Sequence, residues 1–94
     1  SVWDRRIAII STFAFLRNHE FETALRLCEN LLMDRHDLMH KACGWVLREI
    51  GKRDIHTLRG FLSTFANRMP RTMLRYSIEK LDPEERRHWM TLRP

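Results

Sequence analysis

The chain has 94 residues, so it forms one small domain at most, and 44% of its residues are hydrophobic, which argues against disorder. No apolar run approaches the length of a membrane span, and no secretory signal is present. The net charge is +5, and fourteen of the seventeen basic residues are Arg, whose forked guanidinium binds phosphate. This balance favours a polyanionic partner, although composition alone does not separate DNA, RNA and a membrane surface.

Apolar residues recur at helical spacing in six segments, and no segment shows the alternation typical of a strand. The spacing predicts helices over residues 2–18, 20–34 and 36–52, and further helices that begin near residues 54, 70 and 82. Asp54 is the predicted N-cap of the fourth helix, and Pro70 suits the first turn of the fifth. Asp82 and Pro83 read as the cap and first-turn proline of a short sixth helix. The short links predict antiparallel neighbours, either in a compact bundle or in three stacked pairs.

Formal charge is distributed unevenly among these six predicted helices. The odd-numbered helices together carry +6, whereas the even-numbered ones carry −1. In a stack of helical pairs, alternate helices line opposite faces, so one face would be basic and could follow a phosphate backbone. The alternative is a chance sorting of charges on solvated faces.

The third predicted helix carries the most specific pattern. Lys41, Arg48 and Lys52 are spaced to share one face, with Gly44 and Trp45 between them. A glycine inside a helix normally permits close approach, either of a neighbouring helix or of a nucleic-acid backbone. Trp45 could equally pack in the core or stack on a base. The apolar stripe predicted on the opposite side consists of Leu38, Ala42, Val46 and Ile50.

Both cysteines, Cys28 and Cys43, lie in apolar helical stretches. We interpret them as buried, reduced thiols of a cytoplasmic protein, with a disulfide as the alternative. His36, His40 and Cys43 could face a metal ion from one side of a helix, but a structural zinc site needs four ligands and no fourth is evident. No metal site and no cofactor are therefore predicted.

Three runs resemble the HEAT-like DNA alkylation repair proteins of AlkD type. Residues 37–49 match the pattern DL-x-x-KA-x-GW-x-LRE, residues 3–9 resemble W-x-R-R-x-A-I, and residues 69–76 resemble MPRT-x-LRY. The runs occur in the order and at the spacing of that family and span nearly the whole chain. By this resemblance, residues 1–94 are a C-terminal HEAT-like segment of a larger α-solenoid, all-α, with about six helices in three antiparallel pairs.

The resemblance also implies a function. A concave basic surface would hold duplex DNA that contains alkylated bases, and the whole protein would hydrolyse the N-glycosidic bond of N3- or N7-alkylated purines. Arg48 matches the arginine of the family's catalytic site, and the catalytic Asp is expected upstream of Ser1. Asp4 is interpreted as a first-turn helix residue and not as a substitute for that Asp. The residues predicted to contact DNA are Arg5, Arg6, Lys41, Trp45, Arg48, Lys52, Arg71 and Arg75.

One further aromatic contact of the family has two candidates here, Tyr76 and Trp89, and core packing is an alternative for each.

Two alternatives to an enzymatic function stay open at this point. The chain could belong to a family member that binds DNA or a protein and has no catalytic activity. Alternatively, it could belong to a helical-repeat protein that binds only other proteins. The residue aligned with the catalytic Asp would separate the first alternative from the enzyme, and an electrostatic surface without a basic concave face would favour the second.

Overall fold

The computed structural model of this chain describes residues 2–5 and 21–92. Within these ranges all regular structure is helical and no strand occurs, which confirms the all-α prediction. The helices are residues 2–5 (α1), Glu22–Asn30 (α2), Asp37–Arg53 (α3), Ile55–Phe65 (α4), Arg71–Ser77 (α5) and Pro83–Met90 (α6), with a 3₁₀ turn over Ala66–Arg68 after α4. The rest of the first predicted helix lies outside the described residues.

Two helix starts follow the predicted capping. The carboxylate of Asp54 accepts hydrogen bonds from the backbone N–H groups of His56 and Thr57, so it caps α4. The carboxylate of Asp82 accepts a 2.9 Å bond from the backbone N–H of Glu85 and caps α6. Each cap satisfies donors that the first helical turn leaves without partners. The positions at which α4 and α6 begin could therefore be predicted from the local sequence alone.

The central helix is α3, which packs most extensively against α5 and next against α4. Of its predicted apolar stripe, Val46 and Ile50 are buried, whereas Leu38 is 38% exposed and Ala42 is only partly buried. The predicted stripe was therefore wrong at its first position, Leu38, while Ala42 packs against the edge of the core. Because α3 has helices on more than one side, it buries a wider arc that consists of Met39, Cys43, Gly44, Val46, Leu47 and Ile50.

The helices pair in an alternating manner. The odd helices α3 and α5 are in direct contact, and the even helices α2 and α4 flank a common cleft of about 550 Å³. Apolar side chains from both even helices and from the residue before α2 line this cleft, among them Phe21, Leu25, Phe61 and Phe65. This placement is compatible with stacked helical pairs, in which alternate helices lie on the same side.

The two cysteines are free and buried, as predicted. The thiol of Cys28 lies 3.8 Å from the backbone carbonyl oxygen of Cys43, which ties α2 to α3. The hydrogen bond with Cys43 and burial in the core both raise the pKa of the Cys28 thiol. Among the described residues, no helix is long and apolar enough to cross a membrane.

Candidate nucleic-acid interface

The basic side chains of α3 differ in their exposure and in the ion pairs that they form within the protein. Lys41 lies 3.5 Å from the carboxylate of Asp37, and Lys52 lies 3.1 Å from that of Glu49. Both lysine side chains are about half exposed, at 48% and 50%. The pair of Lys41 with Asp37 is exposed on both sides and contributes little to stability, because water screens it and the long side chain loses entropy, whereas Glu49, the partner of Lys52, is only 13% exposed. Both ammonium groups are therefore accessible to an anion.

Arg48, by contrast, is held inside the fold. Its side chain is 18% exposed, and its Nη1 donates a 2.6 Å hydrogen bond to Oε2 of Glu79, in the turn after α5. The Nε of Arg48 is buried and has no hydrogen-bond partner among the described residues. The structure thus gives Arg48 a tertiary contact that joins α3 to the end of α5. Its predicted contact with the DNA backbone stays a prediction.

At Gly44, α3 and α5 approach each other closely. A Cβ atom at this position would lie 2.5 Å from Cβ of Tyr76 and 2.7 Å from the carbonyl oxygen of Met73. Both distances are far shorter than van der Waals contact, so only glycine fits. Of the two sequence interpretations, a neighbouring helix is therefore what this glycine accommodates.

The predicted arginines of α5 have different surroundings. Nη1 of Arg71 donates a 2.6 Å hydrogen bond to the carbonyl oxygen of Met90, at the end of α6. This bond satisfies a carbonyl that the last turn of a helix leaves without an intrahelical donor. Arg75 is exposed and makes no ion pair with any described residue. Arg75 is therefore the freer of the two cations.

Near the N-terminus, the structure describes only one of the two predicted arginines. Nε of Arg5 lies 2.7 Å from the carboxylate of Asp34, in the loop that precedes α3. The pKa of Asp34 is lowered by a hydrogen bond from the backbone N–H of His36 and by the charge of Arg5. Arg6 lies outside the described residues. Asp4 is exposed and helical, as the first-turn interpretation requires.

The two aromatic candidates near the C-terminus are clearly distinguished by burial. Trp89 is 7% exposed, and its indole N–H donates a 3.1 Å bond to the carboxylate of Glu85. Tyr76 is 37% exposed and lines a surface pocket. Only Tyr76 of these two can therefore reach a ligand. Trp45, the aromatic of α3, is partly buried and packs against the core.

Two cation-lined pockets meet at the Arg48–Glu79 pair. One has a volume of about 140 Å³ and is lined by Arg48, Lys52 and Lys80 together with apolar residues. The other, of about 420 Å³, is lined by Arg75, Tyr76, Glu79 and Arg86. The bond between Arg48, which lines the first pocket, and Glu79, which lines the second, joins the two pockets.

The residues predicted to contact DNA did not include Lys80 and Arg86. Arg86 lies on the sixth helix, whose net charge is zero, so a charge sum by helix hides it. Its Nη1 donates a 3.2 Å bond to the carbonyl oxygen of Glu79, which directs this guanidinium towards α5. Only the tertiary fold reveals this contact, because the two residues belong to different elements.

The possible metal ligands do not assemble. Within the described part of the chain, no three His, Cys, Asp or Glu side chains are close enough together to hold a metal ion. The imidazole of His40 is hydrogen bonded to the carbonyl oxygen of Asp34, and the thiol of Cys43 is buried in the core.

The family model described as "DNA alkylation repair enzyme" matches residues 1–81 of this chain, which is most of its length. Neither the curated proteins nor the solved structures give a significant match.

Proposed function

This chain belongs to the DNA alkylation repair enzyme family, and from that membership we propose that it forms part of a DNA glycosylase. The substrates would be N3- and N7-alkylated purines in duplex DNA, and the reaction would be hydrolysis of the N-glycosidic bond. The role proposed for residues 1–94 is to bind the phosphate backbone of the damaged duplex.

The chemistry of alkylated purines explains why DNA binding and electrostatic stabilisation would be enough for hydrolysis of the glycosidic bond. A purine alkylated at N3 or N7 is already cationic, so it can leave the sugar with little protonation. The remaining need is to stabilise positive charge as it develops on the deoxyribose, which a carboxylate does electrostatically. The resemblance places that carboxylate upstream of Ser1, so these 94 residues would supply DNA contacts and not the reacting carboxylate.

One observation carries the proposal: five cationic side chains and a single carboxylate line the two adjoining pockets beside the contact between α3 and α5. Lys52 and Lys80 line one pocket, and Arg75 and Arg86 line the other. The carboxylate that lies between them, Glu79, is already paired with Arg48. The surface therefore keeps a positive charge, which is what attracts phosphates.

The experiment that tests the proposal is release of N7-methylguanine from methylated duplex DNA. The 94-residue chain should release none above the uncatalysed background, and a longer protein that includes the upstream Asp should release it. Replacing that Asp by Asn in the longer protein should abolish release. If the 94-residue chain excises the base by itself, the placement of the carboxylate is wrong, and Asp4 is the first residue to replace.

A second candidate function is supported by the environment of Arg48. This side chain, which the resemblance assigns to the catalytic site, is 18% exposed and paired with Glu79 inside the fold. An arginine that is held in an ion pair within the fold is less available to a reaction site, and this favours a module that binds DNA without cleaving the glycosidic bond. A longer protein that binds methylated duplex but releases no base would establish this alternative.

We also propose that the protein acts in the cytoplasm. Its two buried cysteines are free thiols, which is the usual state of cysteines in that reducing compartment.

A further inference from the structure

We propose that Arg75 and Arg86 together form a binding site for one phosphodiester of the DNA backbone, with Tyr76 as its wall. The inference rests on the proposed DNA-binding function and adds to it a specific site between α5 and the start of α6. Arg86 was not among the residues that the sequence indicated, and the site exists only through the packing of these two helices.

The first argument is availability. Neither Arg75 nor Arg86 makes an ion pair with a carboxylate of the described residues, whereas Arg48 and Arg59 each do. Arg75 is exposed on α5, and both guanidinium groups line the 420 Å³ pocket. An arginine without a carboxylate partner keeps its full charge and its forked donors for an incoming phosphate.

The second argument is positioning. Nη1 of Arg86 donates a 3.2 Å hydrogen bond to the backbone carbonyl oxygen of Glu79, so this long side chain is already oriented in the absence of DNA. A pre-oriented side chain loses less conformational entropy on binding than one that moves freely. The remaining N–H groups of Arg86 stay available for an anion.

The third argument concerns the acidic residue in the same pocket. Oε2 of Glu79 accepts a 2.6 Å bond from Arg48, which neutralises a carboxylate that would otherwise repel phosphate. Arg48 thus acts on this site through Glu79, as a positioning residue. With one carboxylate paired in this way, Arg75 and Arg86 leave the pocket with a net positive charge.

The exposed ring of Tyr76 fits the same role. It lines the same pocket as the two arginines and is 37% exposed, so its ring is accessible to a ligand. An aromatic side chain combines apolar area with a hydroxyl donor, so it can contact a deoxyribose and its phosphate together.

The test compares Arg86→Ala with Arg87→Ala in binding of a short duplex to the 94-residue chain, over a series of salt concentrations. Arg87 is an exposed residue of the same helix that does not line the pocket, so both variants lose one positive charge on adjacent residues. Loss of one phosphate contact should lower the slope of log K against log salt by about 0.9. We expect that change for Arg86→Ala and a clearly smaller one for Arg87→Ala.

Arg75→Ala provides a second variant, because Arg75 makes no internal hydrogen bond that its loss would remove among the described residues. We expect it to reduce the slope as Arg86→Ala does, and the double variant to add little, because both arginines hold the same phosphate. Equal slopes for Arg86→Ala and Arg87→Ala would overturn this site while leaving the proposed function intact. If the unaltered chain does not bind duplex DNA at all, both the site and the proposed function are wrong.

Discussion

A Cβ atom on Gly44 would lie 2.7 Å from the carbonyl oxygen of Met73, so α3 and α5 meet backbone to backbone at this point. This approach determines much of the candidate interface. It brings α3, with Arg48 and Lys52, against α5, with Arg75 and Tyr76. A single position without a side chain thus sets the distance between two cationic segments.

Replacement of Gly44 by Ala should therefore destabilise the protein, although alanine favours helix formation. Overpacking typically costs about 1–3 kcal/mol, and the helix propensity of alanine offsets up to about 1 kcal/mol of this. Gly60 of α4 is the matched control, because a Cβ atom there meets no other atom within 4 Å. Gly60→Ala should raise the free energy of unfolding, and Gly44→Ala should lower it, in urea titrations followed by circular dichroism. A stabilised Gly44→Ala variant would contradict the observed helix contact.

Loss of Arg48 should also affect stability, independently of DNA. Arg48→Ala removes the bond to Glu79 and the packing of a side chain that is 18% exposed, so we expect a loss of about 1–2 kcal/mol. Arg26→Ala is the control, because Arg26 pairs with Glu22 one turn earlier and its side chain is 68% exposed. That variant should lose about 0.5 kcal/mol or less in the same titration. Equal losses would show that the Arg48–Glu79 pair contributes no more than a surface pair.

The same two variants test the predicted DNA contact of Arg48. If Arg48 reaches a phosphate, Arg48→Ala should weaken duplex binding and lower the salt slope, while Arg26→Ala on α2 should change little. The measurement is made at a temperature where both variants are folded, as judged by their helical circular dichroism. A reduced stability with an unchanged slope would show that Arg48 itself contacts no phosphate, and equal slope changes for the two variants would remove the case for one basic face.

Acid should weaken the contact between α4 and α6. Two hydrogen bonds from the guanidinium of Arg59, and one from the indole of Trp89, lower the pKa of Glu85 despite its partial burial. Because the folded-state pKa lies below the unfolded value, this contribution is present above the ordinary glutamate pKa of about 4.3 and is lost as the pH falls through the folded value.

Glu85→Gln should therefore lower the free energy of unfolding at pH 7 and have a smaller effect at pH 3. Glu84→Gln is the control, because Glu84 is an exposed neighbour that makes no ion pair with the described residues. Unfolding followed by circular dichroism at the two pH values provides the measurement. An equal effect of Glu85→Gln at both would show that the ionised carboxylate adds nothing to the contact.

The sequence alone determined those features that depend on neighbours along the chain. Helical periodicity indicated an all-α fold, and the capping residues Asp54 and Asp82 marked two helix starts, because a cap bonds N–H groups only two or three residues away. Three local motifs indicated the family, and the match over residues 1–81 confirmed it. The burial of both cysteines was also predicted, since they lie among apolar residues at helical spacing.

Only the tertiary structure decided which charged and aromatic side chains remain available. Arg48 and Arg75 were both predicted to contact DNA, but Arg48 meets a carboxylate that lies 31 residues away, and Arg75 meets none among the described residues. Trp89 is buried against Glu85, whereas Tyr76 stays exposed. These outcomes depend on contacts between helices, which no local spacing encodes, because the partner of a long side chain is chosen by packing in three dimensions.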